Sequence, residues 1–554
     1  MPGRRQRITA APLPWRISII ATAALLALPV VVVVSYGLIP AGEVWHHLAQ
    51  TVLTDYVSNS LLLMLEVAVG TLLIGVSTAW LTTMCRFPGR ALFEWALLLP
   101  MAMPAYIIAY TYTGMFDVAG PLQSTLREWF EVSYGDYWFP EVRSLGGAGI
   151  MLSLTLYPYV YLLSRAAFLE QSVCVLEVSR TLGNGPWRTF FRVALPLARP
   201  AVVAGLSLAL METLADYGTM QYFGIGTFTT GIFRTWFGMD DSAAAAQLST
   251  TLLLFVFTLV LLERWSRRRM RYHHSSQRHQ SLPGFVLTGH QKIAAILICS
   301  GALFFGFLLP AGQLLLWAIE TQHMIDGSFL RLTLNTIGLA AGTALLALLL
   351  ALLMGYGRRL IPERVTRAAV RVAGMGYAVP GTVIAVGVML PLAWVDNTLD
   401  SLMREHFGIS TGLLLSGTLV ALVFAYLVRF LAVSLQTVEA GLGKIRQTID
   451  ESARTLGARP GQVLTRIHLP MLKGSLLTAL LLVFVDVMKE LPATLVLRPF
   501  NFNTLAVRAF ELASDERLMD SSSAALAIVL AGIIPVVLLS RSIRHSRMQH
   551  DLST

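Results

Sequence analysis

Long apolar stretches alternate with short polar ones along almost the whole chain. Each apolar stretch is long enough for a helix of about 20 residues, the length that crosses the hydrocarbon core of a bilayer. The pattern predicts about twelve such helices, six in each half of the chain, at residues 17–38, 57–84, 91–116, 147–169, 198–222, 243–262, 291–318, 332–356, 367–393, 412–435, 472–494 and 522–540. We therefore expect an all-α polytopic membrane protein.

The composition supports this interpretation. Of the 554 residues, 55% are hydrophobic and only 13% are charged, about half the charged fraction of a soluble domain. Cys85, Cys174 and Cys299 are isolated in the sequence, so no disulfide framework or zinc-binding spacing is visible. The basic N-terminus MPGRRQR precedes an apolar segment without a cleavage motif, which favours a retained first helix over a removed signal peptide.

The net charge of +10 has two possible explanations. A basic protein can bind nucleic acid, but in membrane proteins Lys and Arg gather on the cytoplasmic side. With the N-terminus placed inside, most of the 42 basic residues fall on that side. Both termini and the basic linker RWSRRRMRYHHSSQRH (residues 264–279) are then cytoplasmic. We expect a lipid bilayer as partner and no nucleic acid.

The chain contains an internal repeat. A shift of 274 residues takes Glu177 to Glu451 and aligns the surrounding loop, the following span and the next loop without gaps. The sequence therefore predicts a first half at residues 1–263, a linker at 264–290 and a second half at 291–554. Because each half has an even number of spans, the halves form a parallel repeat, with a pathway expected between them.

Two polar loops, at residues 177–196 and 451–470, share a spacing of Glu, Gly and Leu-Pro. The spacing predicts two short helices separated by a turn, with Gly183 or Gly457 ending the first helix in the left-handed conformation. Pro196 and Pro470 are predicted near the start of the next span, where the missing N–H costs little. A basic loop that only sets topology is the alternative, but it does not explain the matched spacing.

The two loops resemble the EAA loop of bacterial ATP-binding-cassette importer permeases, in which Glu-Ala-Ala is followed by Gly and then Ile-x-Leu-Pro. The second copy follows the pattern closely, and the first departs from it at Val178 and Ser179. The resemblance implies the type I importer fold, with loops that dock two copies of a separate ATPase. The residues that it assigns to coupling are Glu177, Gly183, Leu195, Pro196, Glu451, Ala453, Gly457, Ile467, Leu469 and Pro470.

This chain is not expected to be an enzyme. It lacks a G-x-x-x-x-G-K-[ST] phosphate-binding loop, and the nearest string, GLGK at residues 441–444, lacks both the upstream Gly and the following Ser or Thr. No nucleophile, base and orienting acid are grouped in an aqueous segment. We expect no catalytic residue and no cofactor on this chain, with ATP and Mg on the partner ATPase.

The spans after the two loops each contain two carboxylates at positions i and i+4: Glu212 with Asp216, and Asp486 with Glu490. This spacing predicts that each pair lies on one helical face. Intramembrane carboxylates often line a path, and oxygen ligands suit a hard cation. A structural role is weighed equally, since Lys489 could pair with Asp486. We expect no permanent metal site, because a path must release its cargo.

The segments at residues 212–224 and 486–511 resemble those of ferric-iron importer permeases, which are commonly fused two-half chains. That resemblance implies Fe(III) delivered by a periplasmic binding protein, with docking surfaces in the outer loops containing Arg234 and Arg508. It also implies the bacterial inner membrane as the location.

Three alternatives stay open at this stage. A related permease could take up thiamine, a polyamine or a phosphonate. A secondary transporter could couple to protons through the four carboxylates, and a channel is a further but weaker alternative.

Overall fold

The computed structural model describes residues 13–40, 42–171, 179, 181, 183, 185–268, 284–322 and 325–551. Its α-helices are α1 (Leu13–Tyr36), α2 (Glu43–Thr51), α3 (Leu53–Met84), α4 (Arg90–Ala96), α5 (Ala105–Phe116), α6 (Pro121–Phe130), α7 (Leu145–Glu170), α8 (Pro186–Thr189), α9 (Leu195–Ala215), α10 (Gly218–Phe223), α11 (Phe228–Gly238), α12 (Ser242–Arg268), α13 (His290–Leu303), α14 (Leu309–Glu320), α15 (Gly327–Leu360), α16 (Arg364–Ala373), α17 (Gly381–Phe407), α18 (Leu419–Gly443), α19 (Gln447–Thr455), α20 (Pro460–Val463), α21 (Leu469–Met488), α22 (Pro492–Leu497), α23 (Leu505–Ser514) and α24 (Leu518–Asp551). The two-residue strands β1 (Cys85–Arg86) and β2 (Phe285–Val286) form a parallel pair.

The all-α membrane architecture is confirmed. Within the described residues, eleven helical segments are long and apolar enough to cross a membrane, and a bent pair of helices would make a twelfth. The bent pair, Arg90–Ala102 and Ala105–Phe130, turns by 90° and replaces the predicted straight span 91–116.

The predicted span 367–393 is likewise divided, into α16 and α17. A proline stands at the N-cap of the second helix in both places, Pro104 before α5 and Pro380 before α17, with ψ of 143°. Proline provides no N–H and disfavours helix at the residue before it, so the chain breaks there.

The first of two compact units contains residues up to Pro40, Asp240–Thr250 and Gly327–Val507. Its core is formed by α15, α18 and α21, and α1 packs along α16 and α17. The contact with α1 is close: a Cβ added at Gly387 would lie 2.4 Å from the carbonyl oxygen of Pro29. Packing therefore groups the first helix of the chain with helices of the second sequence half.

The second unit contains Ala41–Met239, Thr251–Asp326 and the chain from Arg508 onwards. Here α3, α7 and α9 pack together, and α14 packs against α24. Packing thus divides the chain differently from the predicted division at 263 and 291, which follows the sequence repeat.

The predicted linker 264–290 is not irregular throughout. Its beginning continues α12 to Arg268, and its end forms β2, which pairs with the residues directly after α3. Residues 269–283 lie outside the described part of the chain.

The repeat is also present in the structure. The series α8, π-turn (Phe190–Ala194), α9 and α10 matches α20, π-turn (Leu464–His468), α21 and α22. The starting residues of the corresponding elements differ by 274 in every case, as in Pro186 and Pro460. The shared sequence spacing therefore specifies a shared local structure.

Candidate coupling loops and membrane carboxylates

The second loop forms the helix-turn-helix that its sequence predicts. Helix α19 ends before Gly457, whose φ is +82°, and α20 begins at Pro460. The N–H of Gly457 donates to the carbonyl of Arg454 (3.0 Å), and the N–H of Ala458 donates to that of Ala453 (3.0 Å). These two bonds form a Schellman motif, which satisfies the last carbonyls of α19 and requires a left-handed residue at Gly457.

An open apolar groove of about 430 Å³ lies on this loop. Ala453 and Ile467, two of the predicted coupling residues, line it together with Thr448, Ile449, Ser452, Leu456 and Ala458. Leu456 is 88% exposed, while Ala453 is buried and Glu451 is exposed beside it. An exposed leucine next to an apolar groove is typical of a surface that binds another protein.

The first loop is described only in part, and Glu177 lies outside the described residues. Gly183 has a φ of +77°, as predicted, and α8 begins at Pro186. Beyond this turn, the side chains of Trp187 and Phe191 are 53% and 63% exposed. The first loop thus shares the glycine turn of the second loop and presents aromatic side chains.

The predicted location of Pro196 and Pro470 is corrected by the structure. Both prolines follow a π-turn inside a continuous helical span, Trp187–Ala215 or Pro460–Met488, and do not begin it. The preceding residue, Leu195 or Leu469, donates its N–H to the carbonyl five residues earlier. The wider π-turn relieves the clash that a proline ring causes in a regular α-helix.

The structure places one carboxylate of each pair just beyond the end of its helix. Glu212 and Asp486 lie in α9 and α21, but these helices end at Ala215 and Met488, before Asp216 and Glu490. Each of the latter two residues lies just before a short helix and accepts hydrogen bonds from its first turn. Asp216 is the C-cap of α9, one turn beyond Glu212, whereas Glu490 lies one residue past the C-cap of α21.

Asp216 caps α10 with both carboxylate oxygens. Its Oδ1 accepts from the N–H of Thr219 (3.0 Å) and of Met220 (3.3 Å), and its Oδ2 accepts from the hydroxyl of Thr219 (3.1 Å). A carboxylate at the N-terminus of a helix is stabilised by the free N–H groups there. Asp216 consequently holds the turn between α9 and α10.

Glu490 caps α22 in the same manner and has a cationic partner. Its oxygens accept from the N–H groups of Ala493 and Thr494, both at 3.2 Å, and Oε1 lies 3.1 Å from Nη1 of Arg429. The Glu490 side chain is 2% exposed and that of Arg429 is 11% exposed. A Cβ at position 381 would lie 2.4 Å from Nη1 of Arg429 and 2.6 Å from Oε1 of Glu490, so Gly381 leaves room for this pair.

Asp486 is also paired, as the structural alternative predicted: Nζ of Lys489 lies 2.9 Å from its Oδ1. Sequence reasoning did not identify Arg429, although an arginine within the predicted span 412–435 is a signal of a buried ion pair. Arg234 and Arg508, predicted in the outer connections, lie in the short helices α11 and α23 between the candidate spans.

One known protein family matches the chain in two places. This family is described as the binding-protein-dependent transport system inner membrane component, and it matches residues 71–272 and 345–548. The two matches begin 274 residues apart, the same shift as the internal repeat. The chain belongs to this family. It is a multi-pass inner membrane permease of the ATP-binding-cassette type, with the two halves fused in one chain.

Individual relatives of the permease match it over different lengths. The Fe(3+)-transport system permease protein FbpB 2 of Haemophilus influenzae is 26% identical over 502 residues, covering 88% of this chain and 90% of the relative. The putative ferric transport system permease protein FbpB 1 of the same organism is 24% identical over 478 residues, covering 82% and 72%. The molybdenum transport system permease protein ModB of Escherichia coli is 30% identical over 176 residues, covering 31% and 74%.

Proposed function

We propose that this permease is the membrane-spanning subunit of an ATP-driven importer for ferric iron. The observation that supports this cargo is the length of the match: the relative named for Fe(3+) transport aligns with 88% of the chain, and the molybdenum permease with only 31%. In this proposal a periplasmic binding protein delivers Fe(III), and the permease changes between outward-open and inward-open states.

The proposed motor is a pair of separate ATPase subunits, one at each coupling loop. Two features of the loops support this assignment: each has a left-handed glycine that sets its turn, and the second presents an open apolar groove with an exposed leucine. The proposed residues of this contact are the ten that the EAA resemblance assigned: Glu177, Gly183, Leu195, Pro196, Glu451, Ala453, Gly457, Ile467, Leu469 and Pro470. The positive charge of the linker and of the termini supports a cytoplasmic location for these segments, which is the side where the ATPase is proposed to bind.

The carboxylates contribute unequally in this proposal. Asp486 and Glu490 are each neutralised by a nearby cation, whereas the described hydrogen bonds of Asp216 come from uncharged donors. We therefore assign the electrostatic attraction of a hard cation chiefly to Asp216, with Glu212 one helical turn before it. Asp486 and Glu490 support the architecture of their unit.

The coupling assignment predicts that Gly457→Asp abolishes association with the ATPase while the permease still inserts in the membrane. Left-handed φ costs most residues about 1–2 kcal/mol and Asp somewhat less, and the new carboxylate adds charge to the docking surface. Co-purification of a tagged permease with its ATPase measures the effect.

Gly461→Asp is the matched control. Gly461 lies in the first turn of α20, has space for a side chain and lacks a positive φ, and an acidic residue is favourable at a helix N-terminus. Wild-type association in Gly457→Asp and in a deletion of residues 451–460 would contradict the proposed docking site.

The cargo is tested by uptake into proteoliposomes containing the permease, its ATPase and the binding protein. Radioactive Fe(III) should accumulate only when ATP is present on the side of the membrane that carries the ATPase. Excess thiamine, polyamine or phosphonate should not compete. If one of these compounds competed with iron, that compound would replace iron as the proposed cargo. Uptake by the permease alone without ATP would contradict the proposed motor.

A further inference from the structure

The guanidinium of Arg359, at the C-terminal end of α15, is the centre of a buried polar cluster beside the second coupling loop. Its Nε lies 2.6 Å from Oδ2 of Asp450, which is in the first turn of α19. Its other nitrogens donate to the carbonyls of Leu442 (2.5 Å) and Ile445 (2.8 Å), at the end of α18 and in the turn after it. The Arg359 side chain is only 11% exposed.

The cluster continues from Asp450 to the next span. Oδ1 of Asp450 lies 2.6 Å from Nε2 of His468, which is fully buried at the end of the π-turn before α21. From α15, the hydroxyl of Tyr356 donates to the carbonyl of Pro460 at 2.8 Å, and its ring lies 5.3 Å from the His468 ring. One end of α15 is thereby bonded to α19 and α20 and packs against the π-turn.

These contacts are strong and directional. A guanidinium presents several N–H groups in a fixed plane, which suits a carboxylate and helix-terminal carbonyls together. A cation at the C-terminus of α18 is also favoured by the helix dipole. Removing one member of a buried ion pair leaves the other uncompensated, so the cluster resists opening. The second loop is consequently fixed in orientation relative to α15.

The first half of the chain has other residue types at the three corresponding positions. The shift of 274 residues places Cys85, Leu176 and Ala194 at the positions of Arg359, Asp450 and His468. In the described part of this region, Phe190 packs against Trp80 and Phe168, with ring centroids 5.1 and 6.4 Å apart. A buried hydrogen bond joins the hydroxyls of Ser179 and Thr189 at 3.1 Å. Apolar packing is less directional than an ion pair and tolerates small shifts.

We propose that Arg359, Asp450 and His468 form a latch that positions the second coupling loop and transmits its displacement to α15 and α21. The first half has Cys85, Leu176 and Ala194 at the corresponding positions and so cannot form this ion pair, and we expect its loop to yield more under the same displacement. Two ATPase copies bound to the two loops then contribute unequally to the conformational change. This inference rests on the proposed docking of the ATPase at these loops.

The test uses the complete importer in proteoliposomes and two separate readouts. One is the amount of ATPase that co-purifies with the permease, and the other is the number of iron ions imported per ATP hydrolysed. For Arg359→Gln and for Asp450→Asn we expect the co-purification to stay within about twofold of wild type and the transport ratio to fall at least about tenfold, a factor equivalent to ~1.4 kcal/mol of coupling. A defect in folding alone would lower both readouts together.

Two control variants make the comparison specific. Arg358→Gln removes an adjacent arginine of α15 whose partner is Glu439, in a pair that is partly exposed, and it should leave both readouts unchanged. Ser179→Ala removes the buried hydroxyl contact of the first loop and should reduce the transport ratio by no more than about twofold, since one neutral hydrogen bond is worth little net.

A wild-type transport ratio in Arg359→Gln, or in Asp450→Asn if Arg359→Gln does not fold, would overturn the latch. An equal loss of transport in Ser179→Ala would overturn the inequality of the two loops. In either case the ATPase still co-purifies with the wild-type permease, so the proposed docking stands. If the wild-type permease bound no ATPase, that result would instead contradict the proposed function itself.

Discussion

At the scale of single residues, charge inside the membrane-spanning part is largely compensated where the structure describes it. Glu490 lies against Arg429, and Asp486 lies against Lys489. An isolated charge in this environment costs several kcal/mol, so pairing is the condition under which such residues persist. These carboxylates therefore have a structural explanation that does not require cargo.

The Arg429–Glu490 pair gives a stability prediction. Arg429→Met leaves Glu490 buried without its cation, and we expect a loss of roughly 3–5 kcal/mol in the free energy of unfolding. The double variant Arg429→Met with Glu490→Gln removes both charges and should recover much of that loss. Thermal unfolding of the purified permease in detergent compares the variants. A single variant as stable as the wild type would show that the pair contributes nothing.

At the scale of elements, short helices begin directly after the two main repeat spans. Helices α10 and α22 occupy corresponding positions, and the residues that cap them, Asp216 and Glu490, also correspond under the repeat. Both halves thus use a carboxylate to turn the chain from a long helix into a short one. In the second half Arg429 neutralises the cap, whereas the described contacts of Asp216 in the first half are with uncharged donors.

Asp216 allows its charge and its capping role to be separated. Asn caps helices as well as Asp does, whereas Ala loses the cap at a cost of about 0.5–2 kcal/mol. We expect Asp216→Asn to unfold at the wild-type temperature and to import iron roughly tenfold more slowly, a barrier increase of ~1.4 kcal/mol. Asp216→Ala should lose both stability and transport. Normal transport in Asp216→Asn would assign this residue a capping role alone.

The π-turns are the second recurring element. Three of them occur in the described residues, at Phe190–Ala194, Phe304–Leu308 and Leu464–His468, and each is followed by Leu-Pro. A proline in the interior of a span would cost about 3 kcal/mol in a regular α-helix. The π-turn accommodates the ring without interrupting the span, which explains why the helices continue through the motif.

At the scale of the whole molecule, the two sequence halves exchange helices. Helix α1 packs in the unit that contains most of the second half, while α13, α14 and α24 belong to the other unit. Glycines at the contact with α1, including Gly357 and Gly387, allow the close approach that this packing requires. Each compact unit therefore needs residues from both halves of the chain.

This exchange predicts the behaviour of a divided permease. Residues 284–554 expressed alone lack α1, so α16 and α17 lose their packing partner, and we expect rapid digestion of this fragment by trypsin in isolated membranes. Co-expression with residues 1–283 should restore resistance, and co-expression with residues 41–283 should not. Immunoblots of the digested membranes measure the outcome. Equal resistance of the second half alone would contradict the exchange.

Much of the fold and of the candidate site could be predicted from the sequence because the signals are local or periodic. Span length is set by bilayer thickness, and the repeat follows from a constant shift of 274 residues. The turns at Gly183 and Gly457 follow from the conformational freedom of glycine and from proline's exclusion from helix interiors. By itself, the sequence determined the approximate number of spans, the paired loops and the family resemblance, but not the breaks within 91–116 and 367–393.

Only the tertiary structure decided which residues meet. Asp216 and Glu490 lie beyond the ends of α9 and α21 and accept hydrogen bonds from the following short helices. The partners of Glu490 and Asp450 lie 61 and 91 residues away in the chain. The location of α1 depends on close contacts with Gly357 and Gly387, hundreds of residues later. Hydrophobicity favours burial without specifying a partner, and long-range packing alone selects it.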